Sequence, residues 1–126
     1  MLVKSDTRYR AFNVISTQAT VIKRGTAVGF SATGPSIEPS GVDGASIGFL
    51  DEDYDPAVPK RGAAVCLHEP SQHALAGAAI NAATRVNVIA AGKVATAAAG
   101  PYTTFAAASG DGELVEIFAI RANTTT

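Results

Sequence analysis

A pattern of short apolar alternations, loops and glycine turns occurs twice in this chain of 126 residues. The first copy spans residues 24–65 and the second spans residues 84–117. Three pairs of residues mark the correspondence, with offsets of 58, 56 and 50 positions: Val28 and Val86, Phe49 and Phe105, and Gly62 and Gly112. Because the offsets drift, the copies indicate a loose structural duplication rather than a sequence repeat. Short strands at this density predict a small all-β body.

The composition is that of one domain with a thin core. Hydrophobic residues make up 47% of the chain and charged residues 17%, and there is no tryptophan. Much of the apolar content is alanine, whose side chain buries little area. A chain of this length can still bury a core without stabilising disulfides or metal ions. The thin core favours additional stabilisation by neighbouring subunits.

Charge and cysteine content exclude several classes of function. The formal net charge of −1 argues against an electrostatic nucleic-acid binder, which needs a basic face. Cys66 is the only cysteine, so no intrachain disulfide can form. The first residues are not followed by a long apolar run, and we expect neither a signal peptide nor a membrane span.

The chain divides into three parts by composition. Residues 1–13 are polar and of mixed charge, with Tyr9 and Phe12 as the large apolar side chains. They predict an extended N-terminal arm, with a disordered terminus as the alternative. Residues 14–121 form the predicted β domain, and residues 122–126 form a polar tail.

Strand propensity and turn residues predict the order of elements in the β domain. Residues 33–45 have the glycines and prolines of a loop. Residues 71–83 are ambiguous, since their alanines favour one short helix whereas Gly77 and the flanking strands favour a strand and a turn. Residues 114–120 are apolar on both faces, which predicts a central strand. Strands are predicted at residues 14–22, 26–32, 47–50, 63–68, 86–89, 93–97, 103–107 and 114–120.

Two groups of side chains invite comparison with metal sites. Asp51, Asp53 and Asp55 have the spacing that opens a calcium loop, but proline and glycine stand where that loop needs glycine and glutamate. A solvated acidic turn is the favoured interpretation, with a weak cation site or a basic partner as the alternative. The second group, Cys66, His68 and His73, offers three ligands without a fourth. We therefore expect no metal.

No catalytic motif stands out in the sequence. The serines lack a nucleophile-elbow motif, and Glu113 and Glu116 fall on opposite faces of a strand. Gly110 and Gly112 share only the first two glycines of a dinucleotide fingerprint and precede a strand rather than a helix. The sequence therefore predicts a protein that is not an enzyme and takes no cofactor.

Five motifs in a fixed order give the chain a family resemblance. They are a glycine turn before a strand at residues 23–28, Ile-Gly-Phe-Leu-Asp at 47–51, Gly-x-x-Val at 62–65, an alanine- and valine-rich segment ending in Gly-Lys-Val at 79–94, and Ala-Ala-Ser-Gly-Asp-Gly-Glu-Leu-Val-Glu-Ile at 107–117. In this order the chain resembles the capsid decoration, or cement, proteins of tailed double-stranded DNA bacteriophages. The resemblance covers residues 14–120. It departs from the family in the proline-rich loop at residues 34–40 and in the acidic turn at residues 51–55.

The resemblance implies both a fold and a role. The implied fold is a small β-barrel-like or β-sandwich domain, often trimeric. The implied role is structural: binding to the major capsid protein on the outer surface of the virion and bridging capsid subunits, without direct contact with nucleic acid or membrane. Candidate capsid contacts lie in the arm and the acidic turn: Lys4, Arg8, Tyr9, Arg10, Phe12, Asp51, Asp53 and Asp55.

An alternative is a virion-displayed module that binds carbohydrate or a receptor. Such a module needs an exposed aromatic platform. Tyr9, Tyr54 and Tyr102 are too scattered along the sequence to indicate one.

Overall fold

Ten short β-strands account for most of the regular structure in the described part of the chain. The computed structural model describes residues 9–41, 45–58, 62–67 and 71–120. Within these ranges the one helical element is a 3-10 turn at Ala90–Gly92, which confirms the predicted all-β class. The strands are β1 (Tyr9–Phe12), β2 (Ala27–Phe30), β3 (Ile37–Pro39), β4 (Gly48–Leu50), β5 (Ala63–Leu67), β6 (Ser71–Leu75), β7 (Arg85–Val88), β8 (Val94–Thr96), β9 (Tyr102–Thr104) and β10 (Leu114–Ala119).

The strands form two five-stranded antiparallel sheets with the same topology. The first sheet has the order β1-β5-β4-β2-β3 and the second has the order β6-β10-β9-β7-β8. The second order is the first with every strand number raised by five. In each half, the segment after the first strand also makes one parallel bridge to the far edge, at Val14 with Ile37 and at Ala76 with Val94. Each sheet therefore curls on itself, although neither closes into a barrel.

The duplication extends to individual hydrogen-bonded positions. Ile22 and Tyr54 exchange backbone hydrogen bonds in the first half, as Ile80 and Ala108 do in the second. Strand registers and bridges then fix the remaining equivalences, and the offset between equivalent residues falls along the chain. The pairs and their offsets are Val14 with Ala76 (62), Val28 with Val86 (58), Ile37 with Val94 (57), Leu50 with Thr104 (54) and Val65 with Ile117 (52).

One of the three residue pairs assigned from the sequence has the structural offset. Val28 and Val86 are equivalent, whereas the register makes Thr103 the counterpart of Phe49. Phe105 lies beyond the end of β9, because the connection between the third and fourth strands is shorter in the second half. The connection between the fourth and fifth strands is also shorter in the second half, and the register makes Leu114 rather than Gly112 the counterpart of Gly62.

Two buried clusters form the core. The first consists of residues from the first half: Ile22, Val28, Ile37, Leu50, Ala63 and Val65. The second combines residues of the second half with Ala27 and Phe49 from the first. Phe49 is 1% exposed, and its ring meets the edge of Tyr102 with centroids 5.8 Å apart. This aromatic contact makes one packed body of the two halves.

Two segments differ from the strand prediction. Residues 14–22 form no continuous strand, because a turn at Ser16 and Thr17 separates the isolated bridges of Val14 and Ile22. In this turn Gln18 donates its backbone N–H to the carbonyl of Ile15, a local alternative to strand pairing. Residues 33–45, predicted as a loop, contain β3, whose proline is tolerated at the edge of the sheet.

The structure resolves the ambiguous segment at residues 71–83 and places the strand predicted at residues 114–120. Residues 71–83 begin with β6 and continue into a turn, so the helical interpretation was wrong. Strand β10 lies between β6 and β9, in agreement with its predicted interior position. Its burial is one-sided, however: Val115 and Ile117 are buried, whereas Leu114 and Glu116 are exposed.

The residues predicted as an arm are partly incorporated in the fold. Tyr9–Phe12 is β1, which pairs along its whole length with β5 at the edge of the first sheet. Lys4, Arg8 and the tail at residues 122–126 lie outside the described residues. In the ranges that the structure covers, no helix has the length and apolar character needed to cross a membrane.

Candidate interaction surfaces

A polar cleft of about 400 Å³ lies between the two halves. Two of the predicted contact residues, Tyr9 of β1 and Asp51 of the acidic turn, line it together. Its wall is completed by residues of both halves: Arg24, Phe49, Leu50 and Cys66 of the first, and Ser71, Gln72, His73 and Glu116 of the second. The fold therefore brings the arm and the acidic turn to one place on the surface.

The charged groups of the cleft are held by local contacts. The Arg24 guanidinium lies 3.8 Å from the Asp51 carboxylate, and both side chains are partly exposed. On the opposite wall, the Ser71 hydroxyl donates to the Glu116 carboxylate at 2.8 Å. An exposed ion pair such as that of Arg24 with Asp51 contributes little to stability.

The acidic turn is organised by its own carboxylates. Asp53 accepts a hydrogen bond from the Arg24 backbone N–H at 2.7 Å. Asp55 accepts one from the Ala57 backbone N–H at 2.9 Å, which forms a local Asx turn. The three predicted acidic contacts therefore do not converge on one point. Asp51 lines the cleft, whereas Asp53 and Asp55 are exposed and hold the turn.

The metal interpretation of Cys66 with the two histidines gains no support from the described residues. Cys66 is buried, and its thiol donates to the Leu67 carbonyl at 3.7 Å. His73 is exposed on β6, and His68 lies outside the described residues. Nowhere in the described ranges do three or more histidine, cysteine, aspartate or glutamate side chains gather in a way that could hold a metal ion.

A second surface is aromatic and lies on the first half. The rings of Phe12 and Phe30 meet edge to face with centroids 5.7 Å apart. The Arg10 guanidinium lies 5.2 Å from the centre of the Phe12 ring, a cation–π contact. Two predicted contact residues, Arg10 and Phe12, thus belong to an aromatic cluster that also contains Phe30, which is 63% exposed.

Sequence reasoning missed the exposed aromatic residues Phe30 and Phe105. Phe105 is 81% exposed, just beyond β9. Phe30 was assigned only to the strand predicted at residues 26–32. The duplication carried a signal: at an offset of 58 residues, the smaller Val88 stands in the place of Phe30. The tyrosines form no exposed platform, because Tyr102 is buried and Tyr54 packs against the first core cluster.

The chain was compared with known families, curated proteins and solved structures. No protein-family model matches the chain, and no curated protein matches it. The crystal structure of the head fiber gp8.5 N base of bacteriophage phi29 is similar, with a TM-score of 0.68 and 12% sequence identity. The similarity covers 94% of this chain and 98% of that one. At this level of identity the two proteins share a fold.

Proposed function

We propose that the protein is a structural component of a phage particle that binds the outer surface of the major capsid shell. The observation that carries this proposal is the fold, which follows the base of a phage head fibre over nearly the whole length of both chains. The motif order that resembles capsid decoration proteins supports the same role independently of the structure.

In the proposed mechanism the protein bridges neighbouring capsid subunits. The surface around the cleft carries a phenol at Tyr9, a cation at Arg24 and carboxylates at Asp51 and Glu116. Such mixed polar surfaces suit protein contacts that are individually weak. Repetition over a capsid lattice multiplies weak contacts into firm attachment through avidity.

The proposed partner is the major capsid protein, and the proposed assembly is a homo-oligomer, with a trimer favoured. An alanine-rich second core cluster, with Ala27, Ala74, Ala76 and Ala108 among its members, supports assembly because it leaves stabilisation to be gained between subunits. Cofactors, nucleic acid and membranes have no part in the proposal.

The arm is tested by a deletion that keeps the fold intact. Removing residues 1–12 would remove β1 from the first sheet, so the informative variant lacks residues 1–8 only. We expect this deletion, which removes Lys4 and Arg8, to weaken co-sedimentation with expanded capsids of the encoding phage by about tenfold or more.

The acidic turn is tested by Asp55→Asn. The asparagine side chain can still accept the Ala57 hydrogen bond, so the variant removes charge while keeping the turn. We expect weaker capsid binding with unchanged thermal stability. If the full-length chain fails to co-sediment with capsids, the proposed function is wrong. If the full-length chain binds capsids and both variants bind equally well, the assigned contacts are wrong and the function stands.

A further inference from the structure

The two halves share a topology but differ in how far equivalent apolar side chains are buried at one end of each sheet. Val88 in the second half is 2% exposed and belongs to the second core cluster. Its equivalent in the first half, Phe30, is 63% exposed. Ala74 of the second half is fully buried, whereas its equivalent Phe12 is only partly buried. A larger apolar side chain is thus more exposed at both positions of the first half.

The first half itself covers this end of the second half. Ala27 and Phe49 complete the core cluster that contains Val88. The Leu75 backbone N–H donates to the Gly25 carbonyl at 2.8 Å. The turn at Ala90–Gly92 packs on β2 closely enough that a Cβ at Gly92 would meet the Ala27 oxygen at 2.5 Å. The duplication therefore has a built-in contact in which one half caps the next.

Among the described residues, the first half carries the same receiving surface without a cap. We define its open face as the equivalents of the covered residues Ala74, Leu75, Val88 and Gly92: these are Phe12, Asn13, Phe30 and Pro35. All four side chains are exposed or partly exposed. The Phe12 and Phe30 rings form the apolar centre of this face.

In the part of the chain that the structure describes, the second half carries the same capping surface without a receiver. We define its capping face as the equivalents of Gly25, Thr26, Ala27 and Phe49: these are Ala83, Thr84, Arg85 and Thr103. Ala83 and Arg85 are exposed, and Thr84 and Thr103 are partly exposed. Each copy therefore carries an open face on its first half and a capping face on its second half, and neither face takes part in the contact between the halves.

We propose that the capping face of one copy docks on the open face of a second copy, in a head-to-tail contact that repeats the packing between the two halves. The inference deepens the proposed homo-oligomer by naming its surface. In this arrangement Arg85 takes the place of Ala27 and lies over the aromatic pair of Phe12 and Phe30. The Arg85 guanidinium donates to the Gly100 carbonyl at 2.9 and 2.7 Å, and in the docked pair its face stacks on these rings as the Arg10 guanidinium does on Phe12. Because the two faces differ, the contact is heterologous, and successive copies can close a ring.

The test is the mass of the full chain in solution, measured over a range of concentrations. We expect an oligomer for the unmodified protein and, for Phe30→Lys, assembly weakened by about tenfold or more, because the new ammonium faces Arg85 and the apolar ring is lost. Val58→Lys is the matched control, since Val58 is 57% exposed and lies in neither face. Circular dichroism checks that each variant is folded.

A charge exchange makes the test specific for these two faces. Arg85→Glu added to Phe30→Lys in one chain places a carboxylate opposite the ammonium, so we expect the double variant to regain assembly. An unmodified protein that stays monomeric, a Phe30→Lys variant that assembles normally, or a double variant that assembles no better than Phe30→Lys would each overturn the inference. Co-sedimentation with capsids is scored separately. A protein that forms the predicted oligomer without binding capsids contradicts the proposed function alone.

Discussion

At the scale of single residues, the duplication allows a left-handed position to be compared in two contexts. Gly25 and Ala83 are equivalent, and both have positive φ, +92° and +54°. Glycine adopts this backbone conformation freely, whereas an L side chain costs about 1–2 kcal/mol. The surroundings differ, since Gly25 packs against the second half and Ala83 is exposed.

We predict opposite effects for exchanging the two residues. In Gly25→Ala the new Cβ would lie 2.9 Å from the Leu75 backbone nitrogen, so strain and overpacking should destabilise the protein by about 2–4 kcal/mol. In Ala83→Gly the relief of strain exceeds the gain in unfolded-state entropy, and we expect stabilisation of about 0.5 kcal/mol. Urea denaturation measures both free energies of unfolding. Equal effects at the two sites would contradict the argument.

At the scale of elements, the sequence predicted the strands that have strong β-branched or apolar alternation. Strands β2, β4, β5, β7, β8 and β10 lie within one residue of, or inside, predicted segments, because their burial on at least one face selects such residues. Strand β3 was missed because the glycines and prolines of residues 33–45 favour a loop. The pairing of β3 with β2, a tertiary contact, makes a strand of it.

The candidate surfaces were less predictable than the strands. Tyr9 and Asp51 are far apart in sequence, and only the folding of β1 against β5 brings them to one cleft. Asp53 and Asp55 were identified as an acidic turn, yet nothing in their spacing showed that they accept backbone hydrogen bonds. Phe30 is exposed whereas its equivalent Val88 is buried by the first half, and no local sequence pattern distinguishes the two positions.

The turn before β10 gives an element-scale prediction about pH. The carboxylate of Glu113 accepts hydrogen bonds from the hydroxyl and the backbone N–H of Ser109, and these bonds lower the pKa of Glu113 below its ordinary value of 4.5. A lowered folded-state pKa means that the stabilisation is present above the unfolded-state pKa. It is lost as the pH falls through the folded-state value.

We therefore expect Glu113→Gln to be less stable than the unmodified protein at neutral pH, with the difference shrinking as the pH falls below 4.5. Urea denaturation at a series of pH values measures this. Ser109→Ala should produce the same convergence, because it removes the hydroxyl that donates to the carboxylate. Stability curves that run parallel at all pH values would contradict the assignment.

At the scale of the whole molecule, the two halves differ in whether their core is complete. The first half has a core cluster of its own, whereas the second half is completed by Ala27 and Phe49. The equivalents of these two residues in the second half, Arg85 and Thr103, are at least partly exposed. The two halves thus differ at these positions: the apolar residues of the first half are buried, and the polar residues of the second half are exposed or partly exposed.

Phe49 is the largest side chain that the first half contributes to the core cluster of the second half. Truncation by Phe49→Ala removes a buried ring and its edge contact with Tyr102, and we expect a loss of about 3–5 kcal/mol in the free energy of unfolding. Phe105→Ala is the control, because its ring is 81% exposed, and its effect should stay within about 0.5 kcal/mol.

Calorimetry should show one transition for the unmodified protein, since its halves share a core cluster. For Phe49→Ala we expect the second half to melt first, because it loses the side chain that completes its core. A single transition at an unchanged temperature would show that the halves are stable without this contact.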